Sequence, residues 1–131
     1  MPRRKSRMLT EVELEFMQIL WDRGEVTTED VQDVIARQRR QELAGGSVRK
    51  VLAILAGKGY VTRRKEGRGY VYRAAVPADT ANRSMVRDLL SRAFGGSAAL
   101  MVTALLESKR VSDAELAQIK RLIEEHEEEP R

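Results

Sequence analysis

The chain has 131 residues and a formal net charge of +4, enough for one ordinary domain or a small domain with an appendage. It lacks cysteine, and its single histidine, His126, lies among glutamates, which excludes disulfides, thiolate chemistry and the usual histidine-based catalytic or zinc sites. We therefore expect no enzyme, no metal and no cofactor. Without an apolar run of about 20 residues or a signal-like N-terminus, we expect a cytoplasmic protein with no membrane partner.

The first half of the chain alternates helical and extended patterns. A capping box of Thr10 and Glu13 opens the first helix, and Gly24 ends it. After Gly57 the helical repeat gives way to two β-prone runs around a glycine-rich tip. The predicted elements are a helix over 10–22, an extended piece at 25–26, a helix from Thr27 or Thr28 to about 39, a helix over 46–57, and strands at 60–64 and 70–73. This order is typical of a winged helix, a helix-turn-helix core with a two-stranded wing.

The third predicted helix has a small and basic outward face. On a helical wheel, four apolar residues form one narrow arc towards the core: Val48, Val51, Leu52 and Leu55. Gly46 and Lys50 then point away from the core, with Ser47 and Arg49 on the flanks. Small residues permit a close approach to the major groove, and Arg or Lys can reach guanine edges or phosphates, so this face predicts a recognition helix. The alternative is an ordinary solvated face, although such faces usually mix both signs of charge.

Positive charge is concentrated around this helix and the predicted hairpin. Residues 44–73 contain eight basic residues and one acidic residue, Glu66, for a net charge of +7. Such a field attracts a polyanion, because each neutralised phosphate releases counterions. Arg68 at the glycine-flanked tip suits a narrow minor groove, and a plain surface turn is the alternative. The expected DNA-binding residues are Thr28, Gly46, Ser47, Arg49, Lys50, Arg63, Arg64, Lys65 and Arg68.

Pro77 marks the predicted boundary between a winged-helix DNA-binding domain, residues 1–76, and a helical dimerisation arm, residues 77–131. Three further helices are predicted at about 80–94, 98–108 and 113–127, the last opened by a capping box at Ser112. Their apolar residues are too many for exposed helices and too few for an independent core, so we expect a second copy to cover them. The expected dimer contacts are Met85, Leu89, Leu90, Phe94, Met101, Leu105, Leu116, Ile119 and Ile123.

Three segments resemble the penicillinase-repressor (BlaI/MecI) family of bacterial transcriptional regulators. They are LTEVELEFMQILWDRGEVTTEDV at 9–31, SVRKVLAILAGKGYVTRRKEGRGYVYRA at 47–74 and VSDAELAQIKRLIEE at 111–125. The resemblance implies a homodimeric winged-helix repressor that binds a palindromic operator and leaves it when a signal arrives. It also implies that Ser47, Arg49 and Lys50 occupy recognition-helix positions, with Arg68 at the wing tip.

Three features depart from the family pattern. Ala44-Gly45-Gly46 stands where the family often has a better-capped helix start. The best-known members are inactivated by proteolysis at an Asn-Phe bond in the arm, where this chain has Thr103-Ala104, and copper-responsive relatives use cysteines that this chain lacks. Release is therefore expected to follow cleavage at another bond by an inducing protease, or binding of an effector between the arm helices.

The sequence thus predicts a mainly α-helical protein with a small β-hairpin wing and a C-terminal helical dimerisation arm. Its expected partners are double-stranded DNA and a second copy of itself, and its expected function is transcriptional repression. Two recognition helices about 34 Å apart, or a small multiple of that distance, would cover a promoter. The alternative function is a winged-helix protein–protein interaction module, which an acidic or apolar outward face on the third helix would favour.

Overall fold

The computed structural model describes residues 8–39 and 43–129. Within these residues the chain forms six helices and three strands. Their bounds are α1 Glu11–Arg23, β1 Glu25–Val26, α2 Thr28–Arg39, α3 Gly45–Gly57, β2 Val61–Glu66, β3 Gly69–Ala74, α4 Ala78–Phe94, α5 Ala98–Glu107 and α6 Asp113–Glu128. This architecture confirms the predicted winged helix followed by a helical C-terminal part.

Local capping explains where the first two helices begin. The backbone N–H of Glu13 donates to Thr10 Oγ1 at 3.2 Å, and the Thr10 N–H donates to Glu13 Oε1 at 3.0 Å, which completes the predicted capping box. Thr27 and Asp30 form a second reciprocal pair, at 3.1 and 2.9 Å, so Thr27 rather than Thr28 caps α2. These side chains satisfy N–H groups that have no partner within the helix.

The start of α3 has no such cap. Its N-cap residue is Ala44, which has no side-chain oxygen to accept a hydrogen bond, and the helix begins at Gly45. Gln32 makes the nearby contact instead, since its Nε2 donates to the carbonyl of Leu43, the residue before Ala44, at 3.0 Å.

The sheet has one more strand than the predicted two-stranded wing. Its order is β1-β3-β2, with both pairs antiparallel. In the short strand Glu25–Val26, Glu25 pairs with Arg73 and Val26 with Tyr72. Strands β2 and β3 pair along their whole length, from Val61 opposite Ala74 to Glu66 opposite Gly69. A two-residue loop joins them, and its Gly67 adopts a φ of 59°, which favours glycine.

An apolar core among the described residues joins α1, α2, α3 and the sheet. The largest fully buried side chains are Phe16, Met17, Leu20, Val26, Val31, Ile35, Val48, Leu52 and Leu55. Three of the four apolar residues predicted to face inwards from α3 are fully buried, and Val51 packs at the edge of the core. Trp21 also packs there, and its indole N–H donates to the Val76 carbonyl at 2.8 Å, as expected for a core residue.

The chain divides into two compact units, Met1–Val86 and Arg87–Arg131, here called the winged-helix unit and the C-terminal unit. The first extends past Pro77 into α4, where Ala81 is only 1% exposed and Met85 packs against the core. In the second, Ser97 and Ser112 cap α5 and α6 by accepting from the backbone N–H groups of Leu100 and Glu115, each at 3.1 Å.

No single helix in the described part of the chain is both long and apolar enough to cross a membrane. Helices α4 and α5 reach that length and hydropathy only as a pair, which is bent by 91°.

Candidate nucleic-acid interface

The outer face of α3 is exposed and contains no carboxylate. Gly46, Ser47, Arg49 and Lys50 are all exposed, while Val48, Leu52 and Leu55 on the opposite side are fully buried. The helical spacing therefore fixes which side of α3 faces solvent. The sequence GGSVRKVLAILAG supplies positive charge on this side and no acidic side chain to offset it.

The glycine at the start of α3 makes room for Arg49. A methyl group at Gly45 would lie 3.1 Å from Arg49 Nη1 and 3.5 Å from Gln32 Nε2, whereas one at Gly46 would lie 3.9 Å from Arg49 Nη2. The Arg49 guanidinium thus lies over the first turn of its own helix, beside Gln32. Helical spacing predicted the exposure of Arg49 but not this close packing, since Gln32 lies on another helix.

The wing exposes basic side chains on one face. Paired residues of antiparallel strands share a face, so the pairs Arg63–Tyr72 and Lys65–Tyr70 put Arg63, Lys65 and Tyr70 on the same side. The Arg63 guanidinium lies over the Tyr70 ring, 4.3 Å from its centroid, which favours a cation–π interaction. Tyr70 remains 40% exposed. It was not among the predicted DNA-binding residues, although an aromatic residue between basic runs is a signal that could have identified it.

Arg64 has a different environment from its neighbours. Its Nη2 lies 2.7 Å from Glu25 Oε2 and its Nη1 lies 2.7 Å from Glu66 Oε2. About half of the Arg64 side chain is exposed to solvent. Glu66 lies two residues along the same strand. Glu25 lies in β1, on the far side of β3, and therefore outside the 44–73 segment whose charges were counted.

Lys58 contributes to the core rather than to the basic surface. Its Nζ donates to Glu13 Oε1 at 2.6 Å and to the Met8 carbonyl at 2.8 Å, and both charged side chains are about nine-tenths buried. Burial opposes ionisation of Glu13, but hydrogen bonds from Lys58 and Thr10 and the Lys58 charge outweigh it, so the pKa of Glu13 is lowered. This ion pair joins the C-terminal end of α3 to the first turn of α1.

A cleft of about 640 Å³ lies between the start of α2, the outer face of α3 and the tip of the wing. Strand β1 pairs only with Tyr72 and Arg73, which leaves the remainder of that β3 edge open towards α2. The cleft is lined by Thr27, Thr28, Glu29, Arg49, Glu66, Arg68, Gly69, Tyr70, Val71 and Tyr72. It brings together Arg49 and Arg68, which are far apart in sequence. Thr28 also lines it, although this residue is only 8% exposed.

The residues predicted to contact a second copy differ in exposure. Leu89, Leu105 and Ile123 are 44%, 47% and 55% exposed, whereas Leu90, Phe94, Met101, Leu116 and Ile119 are half-buried. Met85 is the predicted contact that packs against the core of the winged-helix unit. Further large apolar side chains outside the predicted set are also exposed: Val86, Leu100, Val102, Leu106 and Leu122.

Within the described residues, no group of three or more His, Asp or Glu side chains is placed to hold a metal ion.

Comparison with known proteins agrees with this arrangement. The penicillinase repressor family model matches residues 9–125. The penicillinase repressor of Bacillus licheniformis is 24% identical over 123 residues, covering 94% of each chain. An uncharacterized 16.5 kDa protein in the ptsI 3' region of Latilactobacillus sakei is 26% identical over 115 residues, covering 88% of this chain and 77% of that protein.

Two solved structures share the fold. The solution structure of the DNA-binding domain of the repressor BlaI has a TM-score of 0.50 and 23% identity, covering 60% of this chain and 93% of that one. A complex structure of hsRosR-SG has a TM-score of 0.54 and 13% identity, covering 90% and 91%. The family model spans most of the chain, so the protein belongs to the penicillinase-repressor family and is a DNA-binding transcriptional repressor rather than an enzyme.

Proposed function

We propose that this protein binds a palindromic operator as a homodimer and blocks transcription by covering a promoter. The observation that carries the proposal is the outer face of α3, where Gly46, Ser47, Arg49 and Lys50 are exposed without a carboxylate among them. Small residues at the start of the helix permit close approach to DNA, and the basic residues supply donors for base edges and phosphates. The same face argues against a protein–protein interaction module, which would favour an acidic or apolar surface.

Different parts of this surface suit different contacts with DNA. We assign base reading to Arg49 and Lys50, since they lie on the helix that would enter the major groove. Arg63 and Lys65 on the wing suit phosphate contacts, and Arg68 at its tip suits the minor groove. The N-terminus of α2 at Thr28 opens onto the same cleft, and a helix N-terminus favours an anion through its free backbone N–H groups. Thr28 as a whole residue is only 8% exposed, so a DNA contact here would depend on the helix end rather than on the Thr28 hydroxyl.

The exposed apolar residues of α5 are the observation that supports a homodimer. Leu100, Val102, Leu105 and Leu106 are between 46% and 59% exposed, and at 100° per residue they point in several directions around the helix. A helix that is apolar on most of its circumference is normally surrounded by protein. No described residue of α5 is buried within the single chain, so a second copy is the simplest source of cover.

The proposal predicts a particular footprint. Genomic fragments selected by the full-length protein should share a sequence with two-fold symmetry, and its half-sites should be spaced by about one DNA turn or a small multiple. With about eight phosphate contacts per dimer, the logarithm of the binding constant should fall against the logarithm of salt concentration with a slope of about −7. A single asymmetric site, or binding that does not change with salt, would contradict the proposal.

A DNA-binding repressor acts where the chromosome lies, so we place the protein in the cytoplasm. For release we propose weakening of the dimer, either by a protease that cuts the arm or by an effector that binds between its helices. Neither route uses cysteine chemistry or an Asn-Phe bond, because residues 103 and 104 are Thr and Ala and the chain has no cysteine. Mass spectrometry of the protein from induced cells distinguishes a cleaved chain from an intact one, and a cut between Thr103 and Ala104 would contradict the exclusion of that position.

A further inference from the structure

We propose that Arg64 is a positioning residue that fixes the wing, and that it is not a phosphate ligand. The inference rests on the proposed DNA-binding function, because it concerns which wing residues meet the DNA. The sequence alone presents Arg63, Arg64 and Lys65 as three equivalent basic residues. The structure separates them by strand face and by partner.

Strand geometry puts Arg64 on the opposite side of the sheet from its neighbours. Successive side chains of a strand point to opposite faces, so Arg63 and Lys65 share one face while Arg64 lies on the other, paired with Val71. Glu25 pairs with Arg73, which places its side chain on the Arg64 face as well. The guanidinium reaches across the central strand β3 to make its 2.7 Å contact with Glu25 Oε2.

Charge reinforces this separation. Two carboxylates surround the one guanidinium, since its second contact, with Glu66 Oε2, is also 2.7 Å long. These three residues together are net negative, and Arg73, opposite Glu25, is a further basic residue on this face. A phosphate that took Arg64 would deprive both carboxylates of their ion-pair partner beside a polyanion. Arg63 and Lys65 have no carboxylate within ion-pairing distance among the described residues, and Arg63 rests on Tyr70 instead.

The contacts of Arg64 explain what it positions. Glu25 belongs to β1, which leads through Thr27 into α2, and Arg64 belongs to β2, the outer strand of the wing. A planar guanidinium can hold two carboxylates at once with a fixed geometry, which a lysine ammonium on a flexible stem does not reproduce. Arg64 therefore ties the outer wing strand to the strand before α2, and it holds Arg63 and Lys65 at a set angle to the helices.

Three full-length variants test this assignment: Arg64→Lys, Arg64→Ala and, as the matched control, Lys65→Ala. For each, the binding constant is measured against salt concentration with the selected operator and with a random duplex of equal length. Lys65→Ala should weaken both complexes alike and reduce the slope by about 0.9 per protomer, as loss of one phosphate contact predicts. Arg64→Ala should leave the slope unchanged and weaken operator binding about 3- to 10-fold, with a smaller effect on the random duplex.

Arg64→Lys gives the sharpest distinction, because it keeps the charge and loses the planar fork. A positioning role predicts that it behaves like Arg64→Ala, whereas a phosphate ligand would be replaced by lysine with little loss. Wild-type slope and affinity in Arg64→Lys, a slope reduction in Arg64→Ala equal to that of Lys65→Ala, or unchanged operator binding in Arg64→Ala would each overturn the assignment. Thermal unfolding of each variant shows that the compared proteins are folded. Failure of the proposed function would appear separately, as wild-type protein without salt-dependent DNA binding.

Discussion

The two compact units differ most in what they bury. In the winged-helix unit, apolar side chains from three helices and a three-stranded sheet meet in a core that includes Phe16, Leu20 and Leu52, each at 0% exposure. In the C-terminal unit, by contrast, no described residue is buried, although α5 is the most apolar helix described. Burial of apolar surface is the main favourable contribution to folding, so only the first unit can gain most of its stability from its own residues.

This difference separates two ways in which one sequence can encode stability. The winged-helix unit caps the starts of α1 and α2 with its own side chains and packs its core within one chain. In the C-terminal unit, the starts of α5 and α6 are specified by their caps, but many of the apolar side chains remain exposed. We propose that a second copy covers them. Association would then be coupled to DNA binding, because two recognition helices on one dimer bind as a single bivalent unit.

The largest effect is expected from a substitution in the C-terminal unit that disrupts the proposed dimer and leaves the winged-helix unit folded. Leu105→Asp in the full chain puts a charge on an apolar surface that we propose is covered in the dimer. The protein should sediment as a monomer, and its operator affinity should fall by about 10²- to 10⁴-fold through loss of effective concentration. Ala117→Asp adds the same charge to an exposed position of α6 that lies about 100° or more from each of its large apolar residues, and it should remain dimeric. If the Leu105→Asp protein remained dimeric with full operator affinity, the proposal that a second copy covers this part of the C-terminal unit would be wrong.

The second prediction concerns the core ion pair of the winged-helix unit. Lys58→Met leaves the Glu13 carboxylate nine-tenths buried without its cation, so the free energy of unfolding should fall by about 3–5 kcal/mol. Urea unfolding followed by Trp21 fluorescence reports on this unit, since Trp21 is the single tryptophan of the chain. Lys50→Met removes an exposed cation from α3 and should change stability little. Equal losses in the two variants would show that the buried pair has no special role.

The same pair should make the winged-helix unit sensitive to acid. The folded-state pKa of Glu13 is lowered from its ordinary value of 4.5, so the unfolded chain binds this proton more tightly than the folded one. The resulting stabilisation is fully present above pH 4.5 and is lost as the pH falls through the lower folded-state pKa. Wild-type protein should therefore lose more stability on acidification through this range than Glu13→Gln. Parallel pH profiles in urea unfolding would refute the prediction.

A smaller effect, on sequence specificity, is expected from substitutions of Arg49 and Lys50 on the proposed recognition helix. Arg49→Ala or Lys50→Ala should cost about 1–3 kcal/mol of operator binding and relax specificity, if either side chain makes a bidentate base contact. Competition between the operator and single-base variants measures this selectivity. Both variants should retain wild-type dimerisation and unfolding midpoints, because the two residues are exposed on the winged-helix unit. A uniform loss across all sequences would indicate phosphate contacts instead.

The smallest expected effect is at Gly45. Alanine should raise the free energy of unfolding by about 0.5–1 kcal/mol through reduced chain entropy, while its methyl group displaces the Arg49 guanidinium from 3.1 Å. Operator affinity should fall, but by less than in Arg49→Ala. Gly57→Ala, where no atom lies within 4 Å of the added methyl, is the control and should not alter binding. Unchanged affinity in Gly45→Ala would show that the folded-back position of Arg49 has no functional consequence.

The sequence by itself determined most of the local structure. Thr10 with Glu13 specified the start of α1, and the spacing of Val48, Leu52 and Leu55 specified both α3 and its solvent face. These features depend on residues within one or two helical turns, so they can be read without knowledge of the fold. The same reasoning gave the exposed residues Arg49 and Lys50 at the candidate DNA surface.

Only the tertiary structure decided which charges remain available to a partner. Lys58 and Arg64 counted equally with Arg49 in the sequence, but Lys58 pairs with Glu13 across 45 residues and Arg64 with Glu25 across 39. Pairings of this kind depend on which strands and helices become neighbours when the chain folds, and a charge count along the sequence does not contain that information. The third strand and the extension of the core to Ala81 arise in the same way, because short segments gain their structure from partners distant in the chain.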